Sequence, residues 1–293
     1  MNIVIIGAGR IGMAFKYMCE KNGAPVELCD VDTAKAPEQK PLTETVPIAD
    51  IIFLCTQSFA IRNLIAQISP LLQPHALVVS AAKGIERTTL KTIDQVMAES
   101  IPSRISWGII IGPTLAEEIV NGQGSAAVFA GNNPERCASL TSVISRHDMT
   151  LECSSDLRGV ALAGVLKNVY ALGLGIADGL GWGANRKGWL VTHALVEMRV
   201  ALGALGGNPI TADGPAGLGD LVATGSSAHS RNRTSGEQLV RTGTLDPLSE
   251  GYISLASIKQ LLGDTAREFA LFSAIVKIVD EKKDARESFE SLV

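Results

Sequence analysis

The sequence predicts a mostly parallel, doubly wound α/β domain over residues 1–155, followed by an all-α domain over residues 156–293. Three observations predict it. Short β-branched runs alternate with longer amphipathic segments through the first half, a glycine-rich turn follows the first apolar run, and beyond about residue 155 long helical runs replace the alternation. Apolar runs at 2–6, 26–29, 48–55, 76–80 and 105–111 read as strands, and the amphipathic segments 11–22 and 61–72 as helices between them. That order is the signature of βαβ units with helices on both faces of a parallel sheet. Ser154-Ser155-Asp156 marks the boundary with turn-forming residues. Residues 159–176, 189–205, 253–262 and 269–281 then read as helices separated by glycine-rich turns, and the closing EKKDARESFESLV as a charged helix end or short tail.

A chain of 293 residues suits two cores better than one, since single cores stop growing at roughly 250–300 residues. Its 46% hydrophobic content, 19% charge and net charge of −4 offer no basic surplus for a nucleic acid backbone, so nucleic acid is not an expected partner. The five cysteines, Cys19, Cys29, Cys55, Cys137 and Cys153, are odd in number and form no CxxC pair. Neither a disulfide framework nor a zinc site is expected from them. The start MNIVIIGAG lacks the basic region of a secretion signal, and no uncharged run reaches membrane-spanning length. The expected setting is therefore the cytoplasm, away from any membrane. Metal and nucleophilic chemistry are not expected either. His75, His147, His193 and His229 are widely separated with no HExxH pattern, and no serine sits in a Gly-x-Ser-x-Gly context.

The segment Gly7-Ala8-Gly9-Arg10-Ile11-Gly12 lies directly after one expected strand and before one expected helix. In that context glycines permit a tight turn and close backbone approach to a pyrophosphate, while the helix N-terminus favours the anion. The first domain is accordingly read as a Rossmann-type dinucleotide-binding domain, the alternative being a glycine turn that merely packs. Asp30 closes the second strand, where a carboxylate accepts hydrogen bonds from both ribose hydroxyls and repels a 2′-phosphate, so NAD is favoured over NADP. Arg10 and Lys35 are cations that pull the other way.

Residues 165–172, VLKNVYAL, place Lys167 and Asn168 inside an otherwise apolar helical stretch. An ammonium removed from water must find a partner or yield its proton, and desolvation brings its pKa toward the working pH. The alternative is a lysine whose stem covers apolar surface while its head reaches water.

Taken together, several separated motifs make the chain resemble the NAD(P)-dependent glycerol-3-phosphate dehydrogenase family, most closely its bacterial form. They are GAGRIG at 7–12, KGIE at 83–86, GPTLAEE at 112–118, VLKN and DGLGWGAN within 165–185, GPAGLGDLVATG at 214–225, SRNR at 230–233 and SEG at 249–251. The resemblance implies a Rossmann domain joined to a 6-phosphogluconate-dehydrogenase-like helical domain. It also implies reversible hydride transfer between NAD(P)H and the C2 carbonyl of dihydroxyacetone phosphate, in a homodimer serving glycerophospholipid synthesis. A ketone accepting hydride needs a proton donor and stabilisation for its developing negative oxygen. By resemblance Lys167 is that donor, with Lys83 and Asp220 beside it in the catalytic set. Gly112, Thr114, Asn168, Thr224, Ser230, Arg231 and Asn232 fall to the small phosphorylated substrate. Gly7, Gly9, Arg10, Ile11, Gly12, Asp30, Lys83, Ala116, Arg231 and Glu250 fall to the cofactor.

Read from the residues alone, Lys83 is equally a solvated lysine, Asp220 in its glycine-dense loop is either a partner for Lys167 or a cap of the following helix, and Arg231 is equally half of a surface pair with Arg233. The chain also departs from the family pattern. The segment between Asp30 and Ile48 is short, and Gly188, Trp189 and His193 stand where alanines and an arginine are common. Gly225 replaces the usual cysteine. Two other readings therefore stand beside the first: a related dehydrogenase for another phosphorylated ketone or hydroxy compound, and a dinucleotide-binding sensor or scaffold without turnover.

Overall fold

In a computed structural model the described residues are 1–145 and 149–292, so His147 lies outside them. The chain divides into two compact units, Met1–Leu157 and Arg158–Val293. The first contains β1 (Ile3–Ile6), α1 (Arg10–Lys21), β2 (Val26–Cys29), α2 (Leu42–Thr45), β3 (Ile51–Leu54), α3 (Ile61–Ile68) and β4 (Leu77–Ser80). A small hairpin of β5 (Ile85–Glu86) and β6 (Lys91–Thr92) comes next. It is followed by α4 (Ile93–Ser100), β7 (Ser106–Ile111), α5 (Ala116–Val120), β8 (Ser125–Gly131), α6 (Cys137–Ile144) and β9 (Met149–Ser154).

Among the described residues, seven strands form one sheet in the order β2-β1-β3-β4-β7-β8-β9. Pairing is parallel throughout, in registers such as Ile3↔Val26 and Ile3↔Ile51, except where β8 runs antiparallel to β7. Every residue of β1, β3 and β4 is buried, as expected where helices cover both faces. On one face Ile3, Ile5, Ile51, Phe53, Leu77 and Val79 meet Phe15 and Met18 of α1, and the Phe15 and Phe53 rings stack at 5.0 Å. The fold class is the expected α/β unit followed by a helical one.

Strands β8 and β9 were not among the sequence-based expectations, for a physical reason. SAAVFAG is poor in β-branched residues, and β9 ends the sheet with mostly exposed or half-exposed side chains, so neither gives a strong strand signal. The cysteine expectation is corrected here. Cys137, the first residue of α6, and Cys153 of β9 form a disulfide with their Cα atoms 6.1 Å apart. Their pairing follows from α6 packing beside β9, which cysteine spacing alone does not reveal.

The second unit is built around α7 (Leu157–Gly179), whose residues Gly159–Ala177 are all buried. By length and composition α7 would suit a membrane, but its apolar window lies wholly inside the protein, so it is a core helix. It is followed by α8 (Ala184–Ala204), α9 (Asp220–Ser226), α10 (Arg231–Thr242), α11 (Glu250–Leu262), α12 (Ala270–Val279) and α13 (Ala285–Glu290). Two glycines let α10 approach α7 at backbone distance. A Cβ on Gly175 would sit 1.9 Å from the Arg233 carbonyl oxygen, and one on Gly236 2.1 Å from that of Leu172. Glu197 of α8, buried, accepts the backbone N–H groups of Leu271 and Phe272 at 2.7 and 3.0 Å and the Tyr170 hydroxyl at 3.0 Å. It thereby satisfies the otherwise unpaired N-terminal amides of α12.

Candidate active site

Each unit carries its own clusters of the residues singled out from sequence. In the first unit β1 ends at Ile6 and the chain turns through Gly7 at φ +111°, a conformation that side chains rarely adopt. A Cβ on Gly12 would lie 1.8 Å from the Gly7 carbonyl oxygen, so the turn and the first turn of α1 touch backbone to backbone. Gly9, the N-cap of α1, faces open space and no acidic residue occupies the first turn. The loop thus leaves α1's first N–H groups approachable by an anion, the requirement for seating a pyrophosphate.

Asp30 is fixed beside this loop. Its Oδ2 accepts from Ala8 N at 2.7 Å and its Oδ1 from Asp32 N at 2.8 Å, while Gln39 bonds both backbone groups of Asp30. Each carboxylate oxygen keeps a second lone pair. The short segment after β2 therefore folds back through Gln39 to hold the carboxylate, and Lys35 pairs with Asp32 at 3.3 Å. Arg10 is exposed and bridges to Glu117 of α5 at 2.8 Å, tying the glycine-loop helix to the helix that Ala116 opens. At the carboxyl ends of the neighbouring strands β4 and β7, Lys83 Nζ donates to Gly112 O at 2.9 Å and Thr114 Oγ1 at 3.4 Å. Gly112 has no room for a side chain, since a Cβ would lie 2.5 Å from the Ala126 carbonyl oxygen.

In the second unit α7 presents Lys167 to α9. Lys167 Nζ lies 2.9 Å from Asp220 Oδ1 and donates to Thr224 Oγ1 at 2.8 Å, and Thr224 in turn donates to Asp220 Oδ1 at 3.0 Å. The three polar atoms close a triangle of buried groups. Asp220 is the first residue of α9, yet its carboxylate turns to the lysine, so the lysine is not one whose head reaches water.

The SRN segment separates into different surroundings. Ser230 is the N-cap of α10 and accepts from Arg233 N at 3.2 Å. Arg231 is exposed and pairs with Asp246 at 3.3 Å, whereas Arg233 points to Asp178 at 2.6 Å. Asn232 is buried, donates to Asn168 Oδ1 at 2.8 Å, and accepts from Ser249 Oγ at 2.8 Å and Gly251 N at 2.9 Å. Glu250 opens α11 between those two partners. Among the described residues no group of three or more His, Cys, Asp or Glu side chains is arranged to hold a metal ion.

The profile of the NAD-dependent glycerol-3-phosphate dehydrogenase N-terminus matches residues 37–137, and that of the C-terminus matches residues 156–290. The glycerol-3-phosphate dehydrogenase (NAD(P)+) of Geobacter sulfurreducens is 31% identical over an alignment covering 99% of this chain and 96% of the relative. The chain belongs to the NAD-dependent glycerol-3-phosphate dehydrogenase family. The Fusobacterium nucleatum relative with the same name is 30% identical, covering 100% of this chain and 96% of its own length. The crystal structure of glycerol-3-phosphate dehydrogenase from Coxiella burnetii superimposes with a TM-score of 0.90 at 26% identity, over 99% of this chain and 98% of the other.

Three residues to which the sequence assigns no role stand against the motifs. Glu117 holds Arg10, and Asp246 holds Arg231. Ser249, noticed only as part of SEG, holds Asn232. A serine before a glutamate at a helix start is a readable cap signature, but its partner on another helix is not.

Proposed function

We propose that this chain reduces dihydroxyacetone phosphate to sn-glycerol 3-phosphate, reversibly, with NADH or NADPH. The carrying observation is the buried triangle of Lys167, Asp220 and Thr224, a proton-bearing group on a helix that packing alone would make wholly apolar. Family membership supports the substrate and the cofactor.

The glycine loop suits a dinucleotide, with Gly9 open at the N-terminus of α1 and Asp30 retaining lone pairs for ribose hydroxyls. Bound nicotinamide supplies the hydride that adds to the C2 carbonyl. Lys167 gives the carbonyl oxygen its proton as negative charge develops there, and in the reverse direction takes that proton back. Asp220 stands as counter-ion 2.9 Å from the Lys167 Nζ where water is excluded, and Thr224, accepting from Nζ and donating to Asp220, orients that nitrogen.

Arg231 offers a planar fork to the terminal phosphate dianion and exchanges Asp246 for it. Ser230 contributes its hydroxyl hydrogen, since its oxygen already caps α10. Asn232, with both oxygen lone pairs engaged, has one N–H left for substrate. Lys83 and Thr114 present cation and hydroxyl together at the strand ends, where ligands of open α/β sheets gather. The division into a cofactor domain over 1–155 and a substrate domain over 156–293, a homodimeric state and a cytoplasmic setting belong to the same proposal.

The test is a substrate panel. Purified protein oxidises NADH or NADPH with dihydroxyacetone phosphate at least tenfold faster than with other phosphorylated ketones. Preference for a different phosphorylated ketone supports the paralogous dehydrogenase instead, and tight dinucleotide binding with no turnover on any ketone supports the sensor.

A further inference from the structure

Helix α11 begins with an unusual division of labour. Ser249 is its N-cap residue, yet the Ser249 side chain accepts nothing from the helix. Its hydroxyl instead donates at 2.8 Å to Asn232 Oδ1, and the same oxygen accepts the Gly251 N–H at 2.9 Å. Gly251 is the second residue of α11, so the amide a cap serine would normally satisfy is satisfied by a side chain on α10.

The orientation of that amide is fixed, because a backbone N–H can only donate and so demands the oxygen of Asn232. Asn232 Nδ2 then donates to Asn168 Oδ1 at 2.8 Å, and Asn168 Nδ2 to the Gly164 carbonyl at 3.2 Å. The chain Ser249–Asn232–Asn168 therefore runs in one direction from α11 through α10 into α7. All three residues are buried, Ser249 completely at 0% exposure, and the approach is close. A Cβ on Gly251 would fall 2.4 Å from the Asn168 carbonyl oxygen. Glu250 sits between the two groups this network grips.

We propose that Ser249 is a positioning residue for the dinucleotide: with Asn232 it pins the first turn of α11 to α7 and so sets the placement of Glu250. This rests on the reading of Glu250 as a cofactor residue. It also gives Asn232 a role separate from phosphate recognition, because its oxygen is fully used by α11.

The experiment is calorimetric titration of NADH into wild type, Ser249→Ala, Glu250→Ala and the double variant, with KM values for both substrates measured alongside. Loss of one such hydrogen bond corresponds to roughly a three- to tenfold loss of affinity. Ser249→Ala weakens NADH by that factor, leaves the KM for dihydroxyacetone phosphate within twofold, and adds nothing further to Glu250→Ala. Ser249→Thr, which keeps the hydroxyl, restores the affinity and serves as the comparison should Ser249→Ala fold poorly by circular dichroism. If Glu250→Ala weakens NADH but Ser249→Ala does not, or if the two effects add, the positioning role is wrong while the cofactor reading of Glu250 survives. If Glu250→Ala leaves NADH affinity unchanged, the cofactor reading of Glu250 falls and the proposal falls with it.

Discussion

The side chains of Lys167 and Asp220 are 5% and 3% exposed, so water satisfies neither charge and each depends on the other and on Thr224. Removing one partner of a buried pair leaves an uncompensated group and costs about 3–5 kcal/mol. Asp220→Asn should therefore lower stability by about that amount in urea denaturation, with a matching loss of turnover; unchanged stability would mean that the pair is not held as described. Two other carboxylates carry opposite pH signatures. The bidentate hydrogen bonds from Arg62 hold Glu86 below its ordinary value of 4.5, so its contribution is complete above that pH and is lost as pH falls through the lowered native value. Burial instead pushes Glu197 above 4.5, so the native state binds that proton more tightly than the unfolded chain and stability declines as pH rises through the raised value. Melting temperatures scanned across pH should fall less steeply on the acid side in Glu86→Gln and decline less above 4.5 in Glu197→Gln. Retention of both slopes would contradict these assignments. Lys167 stood out in the sequence because a charge on an apolar helix is an inconsistency that asks for a partner. Asp220 lay in a glycine-dense loop far along the chain, and nothing local distinguishes a helix-capping aspartate from one turned toward a lysine.

At the scale of elements, close approach decides the packing of α7. Gly175 and Gly236 set α10 against it at backbone distance, and a methyl group at either position meets a carbonyl oxygen that cannot move alone. Gly175→Ala should destabilise by about 1–3 kcal/mol, the usual cost of overpacking, and should reduce activity because α10 carries Arg231 and Asn232. Differential scanning calorimetry beside a kinetic assay checks both, and a neutral result would mean that the helices separate freely. Runs of buried β-branched residues made β1, β3, β4 and β7 legible. The strands β8 and β9 were not, since alanine-rich and edge-exposed stretches bury too little to mark themselves. The bond between Cys137 and Cys153 was hidden for a related reason, since only the packing of α6 beside β9 brings the two residues together.

For the whole molecule, the alternation of strand and helix followed by long helices was enough to give the fold class, because each pattern leaves its own period in the sequence. The sheet order places the glycine loop where β1 lies between β2 and β3, at the change of winding direction where open α/β sheets bind their ligands. The roles proposed for individual residues rest mainly on the co-occurrence of motifs, since each motif alone has an ordinary structural reading. The central claim is that the first unit binds the dinucleotide while Lys167 in the second supplies the proton. The most direct measurement compares wild type with Lys167→Ala for turnover of dihydroxyacetone phosphate, followed in the reduced-nicotinamide absorbance band, and for NADH affinity. The account predicts a fall in kcat of about a hundred- to ten-thousand-fold, the usual worth of general acid catalysis, with NADH affinity within twofold. Turnover that survives in Lys167→Ala while the protein remains folded would contradict it.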